Sequence, residues 1–136
     1  MGGPELILLD THAWVWFISN PEKLSLKAEK SIEKAIQEND ILISSISAWE
    51  VALLVSKRRL ELTMDVSEWI SSSEKLPFIR FIPVDNGIAV RSVSLPESLH
   101  NDPADRIIIA TSMKYGAPII TMDEKILDFP HVQSIW

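Results

Sequence analysis

Cysteine is absent from the 136 residues of this chain. That excludes disulfides, zinc–thiolate centres and thiol nucleophiles, and it agrees with a reducing cytoplasm as the expected location. Glycine is scarce: only four are present, two of them (Gly2 and Gly3) at the extreme N-terminus. A phosphate-cradling loop needs glycines at fixed offsets, so P-loop nucleotide hydrolysis has no support. No apolar run approaches the ~20 residues that cross a bilayer. No basic segment precedes an apolar stretch and cleavage site, so neither a membrane anchor nor a secretory leader is expected. Positive charge is also short, with 13 Lys and Arg against 19 Asp and Glu. The resulting net charge of −6 argues against a protein that grips nucleic acid by charge alone. It leaves room for a site whose acids hold a divalent ion, which reverses the local sign, and for a basic partner segment.

What is present is a globular composition, 46% hydrophobic and 24% charged, at a length suited to one domain over residues 1–136. Leu6 to Leu9 form an unbroken apolar run after Pro4, which predicts a strand buried on both faces. Asp10-Thr11-His12 interrupts it, and Trp14, Phe17 and Ile18 resume at helical spacing. Ser25 caps a helix expected over Leu26 to Glu38, with Ala28, Ile32, Ala35 and Ile36 on one face. Ile41 to Ile43 give a second buried strand. Ser47-Ala48-Trp49-Glu50 is expected to open the next helix, which runs to about Lys57. A further helix is predicted from Val66 to about Lys75, and a third strand within Phe78 to Val84. Asp85 caps the helix that contains Ile88. Asp102-Pro103-Ala104-Asp105 is a strong helix start with Pro at the first helical position. Ile107-Ile108-Ile109 alone would suit a strand, but the cap before it and Gly116 after it favour helix. Pro118 to Thr121 make a fourth strand, Asp123 opens a short helix, and Val132 to Ile135 suit an edge strand. Such alternation predicts an α/β fold: three layers, helices on both faces of a mainly parallel sheet of four to five strands.

Four acids recur at equivalent element ends. Asp10 follows the first strand and Asp123 the fourth. Glu50 lies near the start of the helix after the second strand, and Asp105 near the start of the helix before the fourth. In an open parallel sheet these ends share the rim where ligands bind, close to the reversal of strand order. Each also has a structural reading. Asp10 and Asp123 suit helix caps, while Ser47-x-x-Glu50 and Asp102-x-x-Asp105 suit capping boxes. Their convergence on one crevice favours a hard cation. Mg²⁺ and Mn²⁺ take a few carboxylates and keep several waters, and beside a phosphodiester such ions activate water and offset developing charge. Without a cation, acids this close would raise one another's pKa.

The segments Asp10-Thr11-His12-x-x-x-Trp16, Ser45-x-Ser47-x-Trp49-Glu50, Leu99-His100-x-Asp102-Pro103-x-Asp105-Arg106-x-Ile108-x-Ala110 and Thr121-x-Asp123 resemble the signatures of PIN-domain proteins. The branch they most resemble is that of the VapC-type toxins of toxin–antitoxin pairs. The likeness runs in order along nearly the whole chain. It implies a PIN-like three-layer fold and a Mg²⁺- or Mn²⁺-dependent single-strand endoribonuclease. It also implies a small cognate antitoxin that covers the site. By that resemblance Asp10, Glu50, Asp105 and Asp123 are the catalytic, metal-binding acids. Asp102 is a fifth candidate, through a water or merely as a helix cap. Thr11, Thr121, Arg106 and His100 are candidates for contacts with substrate or for orienting the ligands. Arg106 is equally suited to a structural ion pair. A homodimer is the default expectation for a soluble domain of this kind.

Other residues carry less. His12 is expected to point away from the Asp10 side, and His131 to lie at the surface. Trp14, Trp16, Trp49 and Trp69 are better suited to core or partner contacts than to stacking on bases, and Trp14 and Trp16 cannot both face the core from one short helix. Lys57-Arg58-Arg59 is a candidate contact for a nucleic-acid backbone, although cations at a helix C-terminus often only face solvent. A phosphatase with a nucleophilic Asp would want a second Asp two residues on, where His12 stands. A non-catalytic module binding RNA or a partner remains the other alternative, and the loss of one acid would favour it; all four are present.

Overall fold

The computed structural model describes residues 6–38, 40–96, 99 and 101–136; the turn expected at Asn39 lies partly outside them. In chain order the elements are β1 (Ile7–Leu9), α1 (Thr11–Ser19), α2 (Leu26–Glu38), β2 (Ile41–Ser44), α3 (Ser45–Ser56) and α4 (Val66–Glu74). Then come β3 (Ile79–Ile82), α5 (Asn86–Ser94), α6 (Pro103–Tyr115), β4 (Ile119–Ile120), α7 (Glu124–Leu127) and β5 (Ser134–Ile135). Five strands make one sheet in the order β3-β2-β1-β4-β5, and every pairing is parallel.

The strands read as solid apolar runs because both faces are covered, yet the two-residue period still assigns each side chain to a layer. Ile7, Leu9, Ile41, Ile43 and Ile120 join a core with Trp14 of α1, Ile32 of α2, Val51 of α3 and Trp69 of α4. Leu8, Leu42 and Ile119 point the other way, into a core with Ile88 of α5, Ile108 and Ile109 of α6 and Ile126 of α7. The chain therefore winds outward from β1 to β3 with its helices on one face. It then returns past β1 to β4 with helices on the other, as right-handed crossovers require. The reversal falls between β1 and β4. Their carboxyl ends open the crevice.

Local sequence accounts for most boundaries. Ser25 Oγ accepts the Ala28 N–H at 3.0 Å and starts α2. Asp102 and Pro103 start α6, which ends on Gly116 in the left-handed region at φ 64°. That stop makes Ile107-Ile108-Ile109 helical despite their β-branching. One boundary differs from expectation. The hydroxyl of Ser44, not Ser47, caps α3 by accepting the Ile46 N–H at 3.2 Å. The chain thus turns into helix directly off β2. Ser47 is fully buried inside α3, and Glu50 lies in the second turn, so the Ser47–Glu50 capping box does not form. Among the described residues no helix is long and apolar enough to cross a membrane.

Candidate active site

Asp10, Thr11, Glu50, Asp102, Asp105 and Asp123 all line one cavity of about 420 Å³ at the carboxyl ends of β1 and β4. The five acids arrive from four parts of the chain. Asp10 ends β1 and caps α1, accepting the Ala13 N–H on Oδ1 at 2.8 Å. Asp123 lies beyond β4 and caps α7, accepting the Lys125 N–H at 2.9 Å. Asp102 caps α6, accepting the Asp105 N–H at 3.0 Å, which holds Asp105 in the first turn of that helix. Glu50 reaches the cavity from α3. Asp10, Asp102 and Asp123 are therefore helix caps and cavity-lining groups at once, because capping occupies one carboxylate oxygen and leaves the rest of each group to the cavity.

Two threonines tie the acids together. The buried Thr121 hydroxyl donates to the Asp10 carboxylate and accepts the Asp123 N–H at 3.0 Å. Thr11 Oγ1 hydrogen-bonds Glu50 Oε1 and lies 2.9 Å from Ser47 Oγ. Ser47, expected as the cap of α3, is instead the buried prop behind the Thr11–Glu50 contact.

Burial and mutual repulsion set the charge state. Burial pushes the Asp10 carboxyl up to about 6, although hydrogen bonds from Thr121 and the Ala13 amide act the other way. Asp105 rises further, to about 8, first through burial and then through the charges of Asp102, Glu50, Asp123 and Asp10. Carboxylate oxygens predominate among the polar groups around the cavity, the donor type a hard divalent cation prefers. Among the described residues no three His, Asp or Glu side chains stand close enough together to hold a metal ion between them.

The remaining candidates fall differently. Arg106 is a structural bolt and not a group aimed at the cavity: Nε donates to the Ser92 carbonyl at 2.9 Å, Nη2 to Leu95 at 2.7 Å and Nη1 to Leu99 at 3.3 Å. Those bonds fasten the α5–α6 connection. His100 lies outside the described residues. Lys57, Arg58 and Arg59 are exposed and do not line the cavity. His12, expected to face away, instead lines it together with Trp16 and Met122. The four-residue spacing from His12 to Trp16, counted from the Asp10 cap, was the signal that places both on one helix face.

A doubly wound α/β domain with acids gathered at its switch point belongs to the class that binds its ligand outside the carboxyl ends of the strands. The chain belongs to the PIN-domain family, whose profile matches residues 7–132. It is 30% identical over 129 residues to "Ribonuclease VapC22" of Mycobacterium tuberculosis, covering 95% of each chain. Its fold resembles the crystal structure of VapBC2 from Rickettsia felis bound to a DNA fragment from their promoter. There the TM-score is 0.71 and the identity 18%, over 95% of this chain and 96% of that one. It also resembles FitAcB from Neisseria gonorrhoeae, with TM-score 0.62 and 22% identity over 95% of this chain and 96% of that one.

The raised carboxyls link stability to pH. A folded-state pKa above the unfolded value means that the folded protein binds the extra proton across the interval between them. Stability from that proton is complete below the unfolded value of 3.8 and is lost as pH rises towards about 8. The metal-free protein should therefore show a falling Tm from about pH 5 to about pH 8. Millimolar Mg²⁺ or Mn²⁺ should offset much of the fall, and Asp105→Asn should flatten it. Thermal unfolding in EDTA across that range measures it; a Tm that stays level or climbs would contradict the assignment.

Proposed function

We propose that this protein is a Mg²⁺- or Mn²⁺-dependent single-strand endoribonuclease and the toxin of a toxin–antitoxin pair. One observation carries the reading: five acids from four separate parts of the chain line the same cavity, and burial with like charge leaves Asp105 at about 8. Such a cluster is costly unless a cation neutralises it. Membership of the PIN-domain family and likeness to a protein named as a ribonuclease support the same conclusion.

Asp10, Glu50, Asp105 and Asp123 would hold the ion, with Asp102 able to reach it through water. When bound, it polarises water and the phosphodiester oxygens and offsets charge on the leaving 3′ oxygen. The chain's own residues prepare that position. Thr121 fixes the Asp10 carboxylate against the Asp123 backbone, and Thr11, propped by Ser47, orients Glu50. Asp105, protonated around neutral pH by burial and like charge, would give up its proton to serve as a ligand. The toxin reading draws on the solved neighbours, several of which are toxin–antitoxin complexes. A basic side chain of a small antitoxin would suit the same acidic cavity.

The test is cleavage of labelled single-stranded RNA. Cutting should occur with Mg²⁺ or Mn²⁺, stop in EDTA and return when metal is added in excess, leaving 5′-phosphate and 3′-hydroxyl ends. A panel of structured and unstructured RNAs that stays intact in either metal would overturn the proposal. The cavity would then be a partner-binding site.

A further inference from the structure

The acids account for only part of the cavity. His12, Trp16 and Met122 line it as well, and none of them has a place in the cation chemistry. They are not core residues that happen to border a void. His12 is exposed, Met122 is 51% exposed and Trp16 is half-buried, whereas Trp14, two residues away, is fully enclosed. His12 and Trp16 share one face of α1, their ring centroids 5.8 Å apart and tilted by 51°. Trp136 packs against Trp16 with ring centroids 5.7 Å apart and tilted by 54°. The indole is therefore held between two neighbouring rings and still partly exposed at the cavity.

We infer that the His12–Trp16 face, with Met122 beside it, is a stacking platform for a nucleobase next to the scissile phosphate. This rests on the nuclease reading above and adds to it the part of the site that grips the substrate. Geometry supports the pairing of roles. Trp16 lies six residues beyond Asp10, about 9 Å along the helix axis, comparable to the reach from a phosphate to its own base. Charge supports it too. A protein of net charge −6 whose cavity is rimmed with acids gains little from phosphate contacts. Base stacking needs no positive charge and tolerates any sequence, since every base presents a π-face. Trp16 is half-buried already and braced by Trp136, so it loses little side-chain freedom when a base settles on it.

The test uses the full chain and separates binding from cutting. Trp16→Leu and His12→Ala should raise KM for single-stranded RNA, by about tenfold for Trp16→Leu, with kcat falling much less. Trp16→Phe should restore most of the loss. His12 is exposed, so its variant stays informative if Trp16→Leu folds poorly. A second arm follows quenching of tryptophan fluorescence as a single-stranded oligonucleotide binds to Asp10→Asn. An abasic nucleotide next to the cleavable bond should abolish the Trp16-dependent part. Unchanged KM in both Trp16→Leu and His12→Ala, or quenching that ignores the abasic substitution, would overturn the platform. Absence of any cleavage by the unaltered protein would instead sink the nuclease reading, and the fluorescence arm would still decide the stacking.

Discussion

Asp10→Asn should leave a folded protein that cuts single-stranded RNA at least about a hundredfold more slowly, since charge stabilisation at such a centre is worth several kcal/mol. The substitution suits the purpose because it removes charge and almost nothing else. Asn caps helices as well as Asp does, so the bond from the Ala13 N–H to Oδ1 survives. Asp10 is buried and its carboxyl is held at about 6, so the neutral amide should make the metal-free protein at least as stable at neutral pH. Lost activity with retained or raised Tm is the signature of a ligand; lost activity with a collapsed Tm would point to a structural role. Asp85→Asn is the matched control. Asp85 also follows a strand, beyond β3 and Pro83-Val84, and caps a helix, accepting the Ile88 N–H at 2.8 Å, but it pairs with Lys114 away from the cavity. Its removal should leave cleavage unchanged.

That comparison also marks what the sequence can and cannot carry. Asp10 and Asp85 are written alike, each an acid after an apolar run and before a helix. Only strand order separates them, since β1 lies at the reversal and β3 at the sheet edge. Strand order is a long-range property that no local pattern encodes, and the whole-chain resemblance to the PIN family supplied it. The strands themselves were legible, because continuous apolar runs between helical segments leave few alternatives to a parallel sheet. The start of α3 was not. Ser44, Ser45 and Ser47 are all acceptable caps by type, and the choice fell to the one that lets α3 leave β2 at once and bury Ser47 against Thr11.

Arg106 shows the opposite limit. Its place beside Asp105 suggests a partner for phosphate or carboxylate, and neighbours in sequence on a helix point about 100° apart. Asp105 faces the cavity while the Arg106 guanidinium turns to the carbonyls that end α5. His12 differs from expectation for the related reason that the first turn of α1 carries it onto the face it shares with Trp16, at the cavity and not away from it. A helix at the sheet's carboxyl edge has two faces to fill. Trp14 takes the core, and its turn-mates look into the crevice.

The division of labour on α1 makes Trp14→Ala the largest expected loss of stability. Trp14 is fully enclosed; its ring lies 4.7 Å from Trp69 and 5.3 Å from Phe81 between centroids, and Nε1 donates to Ser73 Oγ at 3.0 Å. Truncating a buried Trp to Ala costs about 3–5 kcal/mol, a large share of the roughly 5–15 kcal/mol that holds a domain together. For a chain of this size that predicts a fall in Tm of roughly 10–20 °C, read by near-UV circular dichroism. Trp14→Phe keeps most of the volume and should cost clearly less, while Trp49→Ala, at a position 56% exposed, should fall within about 0.5 kcal/mol of the starting protein. The consequence reaches function, because α1 carries the Asp10 cap at its start and His12 and Trp16 on its open face. If Trp14 is the anchor, its loss should weaken RNA cutting through misplacement of these groups even at temperatures where the chain remains folded. A Trp14→Ala protein that keeps its Tm would mean that α1 is held by something other than this packing, and the wall of the cavity would have to be rebuilt around that contact.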